Sequence, residues 1–170
     1  MQSCREYLIG KLILSILLLS FIIPAAASSA AVQPQLSTFL PGSYQTIINR
    51  YQGKPFLLVF WSLDCPPCFH ELAMLGKLKE RYPEFNLVLV STDSPGDRKE
   101  LLSVINGKGV ANAETWVFSQ ASSSRLRHEV DRIWYGELPR SYFFDGQQNR
   151  QAVSGVLNQE VVELWLRKIE

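Results

Sequence analysis

Cysteine and histidine are scarce in this chain: Cys4, Cys65 and Cys68 are the three cysteines and His70 and His128 the two histidines in 170 residues. A copper or zinc site using Cys65, Cys68 and a histidine would need the fold to bring that histidine in. His70 follows Cys68 by two positions on what reads as one helix, so it points off at a wide angle, and a wet helix face is expected for both histidines. No metal and no cofactor is expected. Net charge is lacking too, with 17 basic and 16 acidic residues, and setting aside Arg5, Glu6 and Lys11 leaves the remainder balanced. Neither nucleic acid nor an anionic surface is therefore a predicted partner. There is no internal repeat, no low-complexity tract, and no apolar run of the roughly 20 residues that a spanning helix wants.

What the N-terminus does have is a targeting pattern. Arg5 and Lys11 precede an apolar run from Leu12 to Ile23, and Pro24-Ala25-Ala26-Ala27 supplies small residues of the cleavage type. Residues 1–27 read as a secretory signal peptide. An N-terminal anchor is the other reading, with Leu8 and Ile9 lengthening the run. Cys4 lies before the apolar core and leaves with a cleaved signal, so two cysteines remain in an oxidising compartment. Residues 28–42, rich in Ala, Gln, Pro and Ser, read as a flexible lead. Residues 43–170 are enough for one domain.

Within that domain, Tyr44, Ile47, Ile48 and Tyr51 recur at helical spacing. Phe56-Leu57-Leu58-Val59-Phe60-Trp61 is continuously apolar, which suits a central strand covered on both faces. Leu72, Leu75, Leu78 and Tyr82 give a second helical stripe, from Cys68 to Arg81, that ends at Pro83. Phe85 to Val90 reads as a strand, Asp97 to Ile105 as a helix, Thr115 to Phe118 as a strand and Ser122 to Val130 as a helix. Ser141 to Phe144 and Gln151 to Val156 flank Asp145-Gly146, a hairpin signal. The last helix, Glu160 to Ile169, is expected to turn Val161, Leu164 and Trp165 to one face. The order is αβαβαβα followed by ββα: an α/β fold with a central mixed sheet flanked by helices.

The chemistry concentrates at Asp64-Cys65-Pro66-Pro67-Cys68, at a strand-to-helix junction. Two cysteines at this spacing point to a dithiol that makes and breaks a disulfide. A purely structural bridge is the competing reading, yet one closing so short a loop restricts the unfolded chain little. The helix N-terminus stabilises a thiolate at Cys65, which makes Cys65 the attacking thiol and Cys68 the resolving one. Pro66 and Pro67 remove amide donors, and an ionised Asp64 disfavours a neighbouring thiolate. Both features favour a reducing couple over a strongly oxidising one.

Val59-Phe60-Trp61, Cys65-Pro66-Pro67-Cys68 with Glu71 after it, and Gly136-Glu137-Leu138-Pro139 leading into Tyr142-Phe143-Phe144-Asp145-Gly146 resemble the TlpA/ResA-like branch of the thioredoxin superfamily. The resemblance covers Ser43 to Glu170 and implies a thioredoxin-like fold and an exported, membrane-associated thiol-disulfide oxidoreductase. It implies a cis Pro139 facing the disulfide. In that role Pro139 would expose the Leu138 backbone to an extended substrate segment and keep an amide and a metal from the sulfurs. Trp61, Pro66, Pro67, Leu138 and Pro139 would then form the substrate groove, with Trp61 either core filler or a lid; Trp116, Trp134 and Trp165 read as core or groove wall. The chain departs from the family in having Asp64 where a large residue is common and Ala73 where a helix-kinking proline is. It has Val59 where thioredoxin has a buried acid, which leaves Glu71 and Glu137 as candidates for proton transfer to Cys68, against the ordinary reading of each as a solvated carboxylate.

The expected function is reduction of protein disulfides. Partners would be disulfide-bonded or thiol-containing exported proteins and a membrane electron donor; cytochrome c maturation, with apocytochrome c as substrate, is what the resemblance suggests. A disulfide oxidase or isomerase of the same fold, a copper-binding thioredoxin-like chaperone and a redox-inert interaction domain are the alternatives.

Overall fold

The apolar run Phe56–Trp61 forms strand β2 with all six side chains buried, in a computed structural model that describes residues 34–169. The predicted signal peptide or anchor over 1–27, with Cys4, lies outside the described residues. Around β2 the elements follow as β1 (Leu36–Phe39), α1 (Ser43–Arg50), β2, α2 (Pro66–Arg81), β3 (Leu87–Ser91), α3 (Arg98–Gly107), β4 (Glu114–Phe118), α4 (Ser123–Val130), β5 (Arg140–Phe144), β6 (Arg150–Ser154) and α5 (Gln159–Ile169). The six strands form one sheet in the order β1-β4-β3-β2-β5-β6. The β1/β4, β4/β3 and β3/β2 pairs are parallel, and β2/β5 and β5/β6 are antiparallel. Among the described residues no helix is long and apolar enough to cross a membrane.

Alternate residues of β2 enter two different cores, as the period of a strand dictates. Leu57, Val59 and Trp61 pack with Cys65, Cys68, Leu72, Leu75 and Leu78 and with residues of α3 and α5. Phe56, Leu58 and Phe60 face the other way, onto Ile47 of α1, Leu126 and Val130 of α4, and Trp134. Burying each such side chain is worth about 1.5–3 kcal/mol, so the strand that leads into the cysteines is firmly anchored on both faces.

Two expectations are corrected. The lead predicted over 28–42 contains β1, whose Leu36 and Phe39 are buried and which pairs with β4 from Leu36↔Thr115 to Phe39↔Phe118. Four residues are too few to show a period, and the strand forms because β4 offers an open edge. In α5 the buried residues are Val162 and Leu166, with Trp165 and Ile169 packed beside them, whereas Val161 and Leu164 are exposed.

Candidate active site

Trp61 ends β2, and the turn after it is held by an acid just past the end of the neighbouring strand. Ser62 Oγ donates to Asp93 Oδ1 at 2.8 Å, the Leu63 amide donates to Asp93 Oδ2 at 3.0 Å, and Ser91 Oγ donates to the same oxygen at 2.6 Å. The Asp64 amide closes the turn onto Ser62 Oγ at 3.1 Å. The parallel pairing Trp61↔Ser91 is what brings Asp93 alongside. Asp93 reads as turn in the sequence; its position two residues past a strand end is the signal that points to it.

From this anchored turn Cys65 emerges as the N-cap of α2, followed by Pro66 and Pro67. Proline is suited to this first turn, where no intrahelical acceptor awaits an amide. The Cys68 amide donates to Cys65 O at 3.0 Å, and the two sulfurs form a disulfide with a Cα–Cα separation of 5.3 Å. Cys65 is 7% exposed and Cys68 1%, so an incoming group reaches Cys65 first. Asp64, Pro66 and Pro67 are exposed around it.

The opposite wall is set by register. Phe60↔Arg140 is the last β2/β5 pair on this side, which leaves Pro139 beside the end of β2. The Leu138–Pro139 peptide is cis, as the resemblance implied, and Pro139 O accepts from the Gly155 amide at 2.9 Å. A shallow depression over the disulfide is lined by Ser62, Asp64, Cys65, Pro66, Pro67, Gly136 and Leu138. Pro139 itself is buried and does not line the depression. Among the described residues the Leu138 N–H and C=O have no backbone partner. Trp61 is 1% exposed and packs in the core cluster that holds both cysteines; it is core filler and not a lid or groove wall, because helices cover both faces of β2. Trp116 and Trp134 are buried and Trp165 half-buried.

Glu71 and Glu137 part company. Glu71, three residues after Cys68 and thus on its face of α2, is 1% exposed, which overturns the solvated reading. Its Oε1 accepts from Ser141 Oγ at 3.1 Å and its Oε2 from the Leu157 amide at 2.7 Å. Burial pushes its pKa up, and the two hydrogen bonds only partly oppose that. Glu137 is exposed and accepts from Arg140 Nη1 at 3.2 Å and Ser154 Oγ at 2.9 Å. Its carboxyl is held below the usual range: desolvation, the largest single influence, raises it, but backbone donors, Ser154 and Arg140 together outweigh that. An ionised, surface-paired group of this kind is poorly suited to take a proton from buried Cys68. Val59 lies among apolar neighbours, with no acid in its place.

His70 and His128 are exposed, and among the described residues no three potential metal ligands cluster. A larger cleft of about 430 Å³, lined by Pro55, Tyr82, Phe85 and Leu166 among others, opens at the other end of β2, away from the sulfurs.

Comparison with solved structures gives proteins of the same fold. The dsbF protein of MTB, solved in mixed oxidised and reduced forms, is 22% identical, with 72% of this chain and 85% of that one covered at a TM-score of 0.57. A secreted Mycobacterium tuberculosis disulfide oxidoreductase homologous to E. coli DsbE is 17% identical, covering 71% and 85% at 0.55. A thioredoxin-family thiol:disulfide interchange protein of Chlorobium tepidum is 14% identical, covering 72% and 83% at 0.58. At these identities the likeness is one of fold. A search of curated proteins gives no match. The AhpC/TSA family profile spans residues 38–149, from β1 to the turn before β6 and so across both cysteines and Pro139, and the chain belongs to that family.

Proposed function

We propose that the chain is an exported thiol-disulfide oxidoreductase acting chiefly as a reductant of protein disulfides. The observation that carries this reading is the Cys65–Cys68 pair, only Cys65 of which opens onto the depression walled by Gly136 and Leu138. In the reduced enzyme the Cys65 thiolate attacks one sulfur of a substrate disulfide. A mixed disulfide forms and the other substrate sulfur leaves as a thiolate that takes a proton. Cys68 then loses its proton and attacks Cys65 Sγ, which releases the second substrate thiolate. Two electrons have passed to the substrate, and the disulfide seen here is left behind. Glu71 is the proposed acceptor of the Cys68 proton, since it lies one helical turn from Cys68 on the same buried face of α2 and burial raises its proton affinity above that of a solvated carboxylate. The unpaired Leu138 backbone offers an extended substrate segment a strand-like partner.

The reducing direction is supported by the exposed Asp64 carboxylate beside Cys65 and by the donors missing at Pro66 and Pro67. Export is supported by the targeting pattern over 1–27 and by the likeness to a secreted protein. In an oxidising compartment the enzyme needs a membrane partner to return two electrons. Its substrates are exported proteins with reducible cysteines, of which apocytochrome c is the one the TlpA/ResA resemblance suggests.

Cys68→Ser stops the reaction at the mixed disulfide, so its capture in the native host identifies substrate and donor together. Absence of any Cys65-linked partner would count against the proposal. A reduction potential toward about −270 mV fits a reductant, whereas one near about −120 mV would make the protein an oxidant.

A further inference from the structure

Between α4 and β5 the chain leaves at Asp131 and returns at Arg140, and these two buried residues grip each other. Arg140 Nη2 lies 2.9 Å from Asp131 Oδ2. Arg140 Nε donates to Tyr142 Oη at 3.0 Å, and Tyr142 Oη donates to the same Asp131 oxygen at 3.2 Å. The remaining nitrogen, Nη1, meets Glu137 Oε1 at 3.2 Å and also donates to Ser154 Oγ. One guanidinium thus ties the start of the segment to its end and both to β6. Arg150 Nη2 adds a second cation 3.7 Å from Asp131 Oδ1, so two cations face two carboxylates.

The segment itself is braced from within. The Ile133 amide donates to Asp131 Oδ1 at 3.2 Å and the Trp134 amide to Asp131 O at 3.1 Å. Trp134 Nε1 donates to Glu137 O at 3.0 Å, and the Trp134 ring packs 4.6 Å from that of Phe60. What this bracing holds outward is Ile133, 71% exposed, and Tyr135, 89% exposed, with Gly136 and Leu138 on the wall over Cys65. Phe60, the β2 partner of Arg140, and Tyr142 both belong to the core on the far face of the sheet from the cysteines. The guanidinium is neutralised there by its own carboxylates and has little field to lend the sulfurs.

We propose that Arg140 is a positioning residue: by joining Asp131 to Glu137 it keeps residues 132–138 as a fixed wall on which a protein substrate docks, without tuning the dithiol. The inference rests on the oxidoreductase reading. Without the clamp the segment must be ordered at each encounter, and that ordering is subtracted from binding. Lysine keeps a cation opposite Asp131 but lacks the planar fork that reaches Asp131, Tyr142, Glu137 and Ser154 together.

The test compares full-length wild type with Arg140→Lys, Arg140→Gln and Asp131→Asn, each reduced with dithiothreitol and then freed of it, so that the electrons come from the Cys65/Cys68 pair in a single turnover. Two disulfides are reduced: insulin, and the small aromatic disulfide dithiobis-nitrobenzoate. For Arg140→Gln we expect the single-turnover rate on insulin below saturation to fall about tenfold, mainly through a raised half-saturating concentration, with the small-disulfide rate within about twofold of wild type. The reduction potential is expected to stay put, Arg140→Lys to lie between, and hydrogen exchange at the Ile133 and Trp134 amides to speed up in each variant. Equal losses on both disulfides, a shifted potential, no loss on insulin, or unchanged exchange would overturn the clamp. If Arg140→Gln does not fold, Arg140→Lys and Asp131→Asn are held to the same criteria. A wild-type dithiol inert to both disulfides would sink the oxidoreductase reading, and the docking role with it, whatever the exchange data show.

Discussion

Glu71 is a carboxyl group placed where its charge is poorly solvated, and that has consequences for stability as well as for proton transfer. Its pKa in the folded chain lies above the ordinary 4.5 because burial outweighs the bonds from Leu157 and Ser141. From 4.5 up to the raised value the native state holds more protons than the unfolded one, so this group's contribution to stability falls as pH rises across that window. The penalty is complete once Glu71 is ionised. Glutamine fits the same two partners, accepting from Leu157 and donating to Ser141 Oγ. Glu71→Gln is therefore expected to melt higher than wild type at neutral pH, with the difference shrinking toward pH 4; a pH-independent difference would refute the burial argument. The same variant should lengthen the lifetime of a mixed disulfide by about tenfold or more, because Cys68 loses its proposed acceptor. The helical spacing of Glu71 from Cys68 is legible in the sequence, but its burial is not. That depends on Ser141 and Leu157, 70 and 86 residues further on. Trp61 escaped a firm reading for a similar reason: a tryptophan at a strand end is lid or core according to which helices cover the sheet.

Helix α2 lies tight against the backbone of the turn after α3 at Gly76. A Cβ there would lie 2.1 Å from Lys108 O, on the turn that follows α3. Alanine gains roughly 1 kcal/mol of helix propensity, but a backbone carbonyl cannot swing aside as a side chain does. Gly76→Ala is expected to lose about 1–3 kcal/mol net from overpacking, read as a lower midpoint in urea; an unchanged or raised midpoint would show that the turn after α3 yields freely. Elements with a full period were legible: β2 as an unbroken apolar run, α2 as Leu72, Leu75 and Leu78, the hairpin at Asp145-Gly146. Strand β1 was not, because its stability comes from the β4 edge and not from its own four residues. The face of α5 was ambiguous in a specific way. Val161, Leu164 and Trp165 satisfy helical spacing, and so do Val162, Trp165, Leu166 and Ile169, so only docking against the sheet selects the second set. The clamp left even less trace, since Arg140 appears simply as one charge at the head of an apolar strand.

At the scale of the whole molecule the fold and the redox couple are one thermodynamic system. Oxidising Cys65 and Cys68 in the folded chain and in the unfolded chain are two sides of a cycle whose other sides are folding itself. A strong oxidant of this chemistry is one whose reduced form is the more stable. The proposed reductant must lie on the other side: folding must favour the disulfide. Nothing in loop closure alone supplies this, since a bridge across three positions restrains the unfolded chain only slightly. The preference has to come from the surroundings of the sulfurs, which here are apolar on the Trp61 and Leu72 side and carry Asp64 and two donor-free prolines on the open side. All of these disfavour thiolate and leave a neutral disulfide undisturbed. Each 30 mV by which the folded couple is more reducing than the unfolded one corresponds to about 1.4 kcal/mol of extra stability in the oxidised protein, or a few degrees of Tm for a domain of this size. Calorimetry of the oxidised and fully reduced protein at neutral pH is thus expected to show the oxidised form melting higher, and Asp64→Asn is expected to narrow the gap by making the reduced, partly ionised state easier to hold. A reduced form that melts above the oxidised one would reverse the direction of electron flow assigned to the enzyme while leaving its fold and its cysteines in their present roles.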